Sequence, residues 1–246
     1  INLISSFIHT LRIIHPDNTY LVENVSCING DMFTNNREFL RNFSNFFTLN
    51  YDLLLYWSLL NSGFNFIDNF SYGMNNRFNN DFFQNTSLWY LHGALHLRTD
   101  SFTGETRKLV YREGSRSRLL DQLSADLMNS VYPTIVFEGT TAEKRAKIGS
   151  NVYLSAANNQ LSNAAGSLFT YGVSFNVNDK HIGEAISKSD ISTLCVGIFG
   201  SEEDNLSICG NCKAIKEWAD IKRSKGLFSP PPLEVYFYDT SQMCIW

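Results

Sequence analysis

The sequence is short of charge, of basic runs and of long apolar runs, and each shortage excludes a class of function. Charged residues are only 18% of the 246, against about 25% in ordinary soluble domains. Twenty Lys and Arg against 24 Asp and Glu leave a net charge of −4, and no basic stretch stands out. A dedicated DNA-binding protein is therefore not indicated, because phosphate contacts need a cationic footprint. The longest apolar stretches, around Leu53 to Trp57 and Ile135 to Phe137, fall far short of the ~18 residues that a membrane span needs. The five cysteines, Cys27, Cys195, Cys209, Cys212 and Cys244, are odd in number and scattered, a poor disulfide framework that points to a reducing cytoplasm. The opening segment has neither a basic start nor a small-residue cleavage site, so it does not read as a signal peptide. With Ile1 as its first residue, the chain is expected to begin inside a longer protein.

What is present in quantity is apolar and aromatic side chain, at 43% and 14%. That is enough for one well-packed domain and excludes disorder. From about residue 132 the pattern alternates. PTIVFEG reads as a strand, and Thr140 or Thr141 then caps a helix through AEKRAKIGSNVYLSAANNQL. SLFTYGVSF reads as the next strand, followed by a short helix at HIGEAISKS. TLCVGIF, Thr193 to Phe199, is continuously apolar, as in a parallel strand buried on both faces. CKAIKEWADIKRSK then reads as a helix after a polar loop that holds the CxxC pair, and LEVYFY as the last strand, entered through SPPP. The alternation predicts an α/β fold, a doubly wound, mostly parallel, Rossmann-like sheet.

The first half is less regular. FSNFFTLN predicts a strand, YDLLLYWSLLNSG a helix ending at Gly63, and SLWYLHG a strand ending at His92 and Gly93. Residues 64–87 are Asn-rich without periodicity and read as a surface insertion.

In open α/β sheets, ligands lie beyond the carboxyl ends of the strands. Three polar clusters fall there: Thr48, Asn50, Tyr51 and Asp52; His92 and Gly93; Tyr171, Gly172 and Ser174. Each has a bland explanation. Asn50 makes a good helix N-cap with Asp52 favouring the dipole, His92 a core histidine, and Gly172 a turn. Tyr51 and Tyr171 are candidate pocket walls or plain core residues. Their joint placement at three strand ends is harder to dismiss.

TxNxD at a helix start, then HG, then GxS after a later strand resembles the sirtuin superfamily of NAD-cleaving domains. FTLNYDLLLYW, LHG, IVFEGTTAEK, LFTYGVSFNVND and HIGEAI are similar more closely to a bacterial sirtuin-like family of mostly uncharacterised proteins, over roughly residues 40–200. The resemblance implies a single sirtuin-like domain spanning residues 1–246, with NAD as substrate. Asn50 would orient the ribose or an attacking water, Asp52 would accept from the nicotinamide carboxamide, and His92 would act as general base. Thr48, Gly93, Gly172 and Ser174 would line the ribose-phosphate side. Such domains serve as NAD-depleting effectors in antiphage defence, which implies a homo-oligomer or a defence partner.

Two departures matter. The family's Gly-rich phosphate loop is missing, since Gly30 is the only glycine before residue 60, which fits a chain truncated at its N-terminus. The paired CxxC zinc ribbon of protein deacylases is also missing, with Cys209 and Cys212 alone, so a plain NAD glycohydrolase is expected over a deacylase. No metal is expected. His92 and His96 have HxxxH spacing, but on an extended strand they would stand about 13 Å apart. Arg112, Arg116 and Arg118 could hold a phosphate, although a solvated helix start is the commoner meaning. A non-catalytic module that binds NAD or ADP-ribose is the alternative.

Overall fold

The computed structural model describes residues 6, 9–10, 32–61, 66–70, 76–79, 87–110, 119–137, 139–224, 231–243 and 245. The chain divides into two compact units. The first comprises Ile1–Val136, Asn151–Leu154 and Ile245–Trp246, and the second Phe137–Ser150 and Ser155–Cys244. It is a mixed α/β protein with parallel strand pairing, and among the described residues the strands form no closed barrel.

In the first unit, helix α1 (Met32–Leu40) precedes strand β1 (Phe46–Thr48) and helix α2 (Leu54–Asn61). Helix α2, LLYWSLLN, is apolar almost all round and so sinks into the interior: Leu53, Tyr56, Trp57 and Leu59 are all buried. Strand β2 (Leu88–Tyr90) pairs parallel with β1, with Thr48 opposite Tyr90. Strands β3 (Leu97–Thr99) and β4 (Thr106–Lys108) form an antiparallel hairpin. Its turn is held by the Asp100 carboxylate, which accepts from the Phe102 and Thr103 amides at 2.9 Å each, an Asx-type turn. Helix α3 (Leu119–Met128) turns Leu119, Leu120, Leu123 and Leu127 towards Tyr56, Trp57, Leu95 and Ile135 to make the core. This spacing of one, four and eight residues is the helical stripe.

PTIVFEG is not a strand. Ile135 makes one antiparallel bridge with Gly93, and the segment is fastened by single bonds: Ala94 N–H to Thr134 O at 3.0 Å and Val136 N–H to His92 O at 2.8 Å. Ile135 and Val136 are buried beside a turn and not in a ladder, and Phe137 is exposed. Of 64–87, the described parts carry isolated bridges, Phe70 with Phe78 and Arg77 with Arg107.

The second unit is regular. The single helix expected after Thr140 is two, α4 (Thr141–Gly149) and α5 (Val152–Ser162). Gly149, Ser150 and Asn151 interrupt the periodicity, and the Asn151 side chain accepts from the Leu154 amide at 2.9 Å, restarting the helix as an N-cap does. Strand β5 (Ala165–Thr170), helix α6 (Lys180–Lys188), strand β6 (Asp190–Ile198), helix α7 (Leu206–Arg223) and strand β7 (Glu234–Asp239) follow. The strands lie in the order β5-β6-β7, all parallel, as βαβ connections require. Gly183 of α6 permits close helix packing, since a Cβ there would lie 2.8 Å from the Ile215 side chain of α7.

Strand β6 is covered more fully on one face than on the other. Leu194, Val196 and Ile198 are buried, while Thr193 and Cys195 are half-buried, beside the part-exposed Phe169 and Tyr236. Cys209 and Cys212 sit inside α7, not in a loop, and both are buried. Burial pushes the Cys212 thiol up to about 12, so it packs as a small apolar group.

Candidate functional site

The first unit brings two of the three clusters together. Because β1 and β2 are parallel and in register at Thr48 and Tyr90, the residues two places beyond, Asn50 and His92, follow the carboxyl ends of neighbouring strands. The Leu91 amide donates to Thr48 O at 2.9 Å and the Leu95 amide to Tyr51 O at 2.7 Å, so the two exit loops are bonded to each other. Thr48 is buried, and its hydroxyl accepts from the Asn50 amide at 3.1 Å. That fixes the turn by which the chain leaves β1.

The cap falls on a different residue from the one expected. Helix α2 begins at Leu54, and Asp52 Oδ1 accepts from the Leu54 amide at 2.9 Å. Asn50, exposed, is left outside the helix start. One Asp52 oxygen is thereby committed to structure, although a carboxylate retains further lone pairs.

His92 is buried, 6% exposed, and its carbonyl accepts from Val136. Gly93 has φ +76°, and a Cβ there would lie 1.9 Å from Thr134 O. Only glycine fits, so its place in the HG pair is accounted for by the chain crossing it. Tyr51 is exposed. His96 is not on a strand with His92: the chain turns twice between them. The His96 ring packs against Tyr56 at 4.9 Å and Tyr90 at 5.0 Å between centroids.

Gly172 and Ser174 belong to the second unit, at the carboxyl end of β5. Gly172 has φ +67° with open space around it, and Ser174 is exposed. The loop is tied to α7 by Asn211, whose amide donates to Ser174 O at 3.2 Å. It then enters a short 3-10 turn, Val177–Asp179, where Asn176 Oδ1 accepts from the Asn178 and Asp179 amides at 2.9 and 3.2 Å.

Two buried polar groupings were not legible in the sequence. In the first unit, Lys108 pairs with Asp68, their side chains 2% and 5% exposed. The Lys108 ammonium also lies 5.9 Å from the Tyr56 ring centroid and 5.7 Å from that of Phe70, cation–π contacts in a dry setting. Beside them, burial and the charges of Lys108 and Arg98 hold the His96 imidazole well below its ordinary pKa. Burial foremost, with nearby Asp68, raises the Tyr90 phenol. In the second unit, the buried Lys144 reaches the Asp179 carboxylate at 2.8 Å, and at the surface Arg145 pairs with Glu184. His181 is buried and lowered to about 4, chiefly by desolvation. The ion-pair partners are 35 to 40 residues apart in sequence, and His181 is hidden in an ordinary helix start, so no local spacing announces them. Arg112, Arg116 and Arg118 lie outside the described residues.

A family model described as Domain of unknown function (DUF4917) matches residues 1–246. The chain belongs to this family. No curated protein matches the chain. Membership spans both units, so the strand-end residues of each, Asn50 and His92 in one and Gly172 and Ser174 in the other, fall within the matched family domain. Among the described residues no helix is long and apolar enough to cross a membrane.

Proposed function

We propose that the chain is an NAD-cleaving module, an NAD glycohydrolase of sirtuin-like type on a Rossmann-like, doubly wound sheet. The observation that carries this reading is the register of β1 and β2, whose carboxyl ends, Thr48 and Tyr90, lie opposite each other two residues before Asn50 and His92. Ligands of open α/β sheets bind beyond such ends.

Cleavage of NAD releases a neutral nicotinamide from a cationic precursor. The reaction needs positioning and exclusion of stray water more than strong acid. An exposed carboxamide at Asn50 suits orientation of a ribose or a water. His92 supplies an imidazole, the side chain best suited to proton transfer near neutral pH. Asp52, with one oxygen on the α2 amide, can still accept from the nicotinamide carboxamide. Gly172 and Ser174, which the resemblance assigns to the ribose-phosphate side, belong to the other unit, so the proposal rests on Asn50, Asp52 and His92. The work of such an enzyme, by the same resemblance, is NAD depletion in the cytoplasm, as an antiphage effector that is homo-oligomeric or held by a partner protein.

The test is NAD consumption by the protein, followed by release of nicotinamide and ADP-ribose. Asn50→Ala and His92→Ala should each lower kcat by about 100-fold or more. Unchanged turnover in both variants, or no NAD loss by the native protein under any activating condition, overturns the assignment. The burial of His92 favours one alternative, a module that binds NAD or ADP-ribose without turnover, because a buried histidine is less accessible as a base. Saturable NAD binding with no nicotinamide release would select it.

A further inference from the structure

We propose that Asp179 and His181 anchor a site for a first-row divalent cation, with Zn2+ best matched to the donors. The two residues sit where the β5 loop becomes α6: Asp179 closes the 3-10 turn and His181 is the second residue of the helix. The imidazole and carboxylate ligand atoms lie within 4.8 Å of one another. Zn2+ bound at about 2.0–2.1 Å from each would draw a tetrahedral pair to roughly 3.3 Å. A small side-chain rotation supplies that closure. One nitrogen and one oxygen donor make a borderline set that suits Zn2+ over Mg2+ or Ca2+, which prefer oxygen throughout.

The surroundings are those of a built site. The Asp179 carboxylate is oriented by the Lys144 ammonium at 2.8 Å, and that side chain is 4% exposed. A hydrogen bond of this kind to a ligating carboxylate is a common support in metal sites, and a carboxylate has lone pairs for both partners. The turn is pinned from two sides. Asn176 accepts from the Asp179 amide at 3.2 Å, and the Thr141 hydroxyl donates to Val177 O at 2.6 Å. Two protein ligands leave coordination positions for water or an oxygen of a bound molecule. In sequence, D-K-H ahead of a helix looks like capping, so the spacing gave no warning.

The proposal is independent of NAD cleavage and is tested with Zn2+ alone on the full chain. Equilibrium dialysis with metal analysis should give one Zn2+ per chain. Competition with a chromogenic chelator should show affinity weakened at least about 10-fold by His181→Ala and by Asp179→Asn. Glu184→Gln, which removes a neighbouring charge but no ligand, should leave affinity within about twofold. If His181→Ala does not fold, Asp179→Asn carries the comparison. Absence of saturable binding at micromolar Zn2+, or binding unaltered in both ligand variants, overturns the site. Equal loss in Glu184→Gln also overturns it, since that outcome means diffuse electrostatic attraction in place of ligation.

Discussion

The two units reach stability by different routes. The second is built from repeats of one plan, strand, helix, parallel strand, cross-tied by polar side chains from distant parts of the sequence. Arg223 near the end of α7 donates to the carbonyls of Pro231 at 2.7 Å, Ser189 at 3.1 Å and Ile191 at 2.6 Å. Gly183 and Gly197 mark close approaches. The first unit has short strands, and its interior mixes a leucine and aromatic core with a buried ion pair and a buried histidine. Regular units are held by many equivalent contacts, whereas irregular ones hang on a few singular ones. Single substitutions should therefore cut deeper in the first unit than in the second.

The sharpest way to break that contrast is Asp68→Ala. It strands the Lys108 ammonium in an apolar shell of Tyr56 and Phe70. Removing one partner of a buried pair costs about 3–5 kcal/mol. Chemical denaturation should show a loss of that order, and hydrogen exchange should show lost protection first in β4 and α2. Unchanged stability would mean that the pair is not dry, and uniform loss across both units would mean that they unfold as one.

The matching change in the second unit is Gly197→Ala. A Cβ there meets Thr240 Cγ2 at 2.7 Å, Thr170 O at 2.8 Å and the Tyr238 ring at 3.0 Å. The backbone is otherwise ordinary and two of the three neighbours are side chains that can shift. We expect a cost of about 2 kcal/mol, in the range for overpacking. A loss larger than that of Asp68→Ala, measured in the same denaturation series, would reverse the comparison.

The same contrast decides what the sequence could reveal. α6, β6 and α7 are readable because burial imposes an apolar run or a helical stripe over nine to eighteen residues. PTIVFEG looks the same locally, but Ile135 and Val136 are held by single contacts to the distant Gly93 and His92 while Phe137 is exposed, so its apolar run reads as a strand where no ladder forms. The β1 and β2 ends carrying Asn50 and His92 were found because polar residues after strands are a local signal. Asp52 displaced Asn50 as the helix cap because α2 starts later than its apolar run suggests, at Leu54. Lys108 with Asp68, and Lys144 with Asp179, were invisible for a general reason: pairing across 40 or 35 residues leaves no periodicity to read.

The smallest effect expected, and the most diagnostic of the first unit, is on its acid stability. His96 is 1% exposed and packed between Tyr56 and Tyr90. It faces Lys108 and Arg98, whose charges add to burial in disfavouring its protonation. The folded-state pKa is thus depressed, while the unfolded chain protonates near 6.5. Below that pH the unfolded state binds a proton that the folded state refuses, so stability is full above about pH 6.5 and falls as pH drops towards the folded pKa. The slope from this one group is at most about 1.4 kcal/mol per pH unit. His96→Gln removes the titration while keeping a polar side chain, so the variant should be less stable than the native chain at pH 7.5 yet lose less on going to pH 5.5. Parallel stability curves for the two proteins over that interval would show that His96 takes up its proton in the folded state as readily as in water. The interior around Tyr56, Tyr90 and Lys108 would then be wetter than its burial implies, and the first unit would owe less to singular buried contacts than the comparison claims.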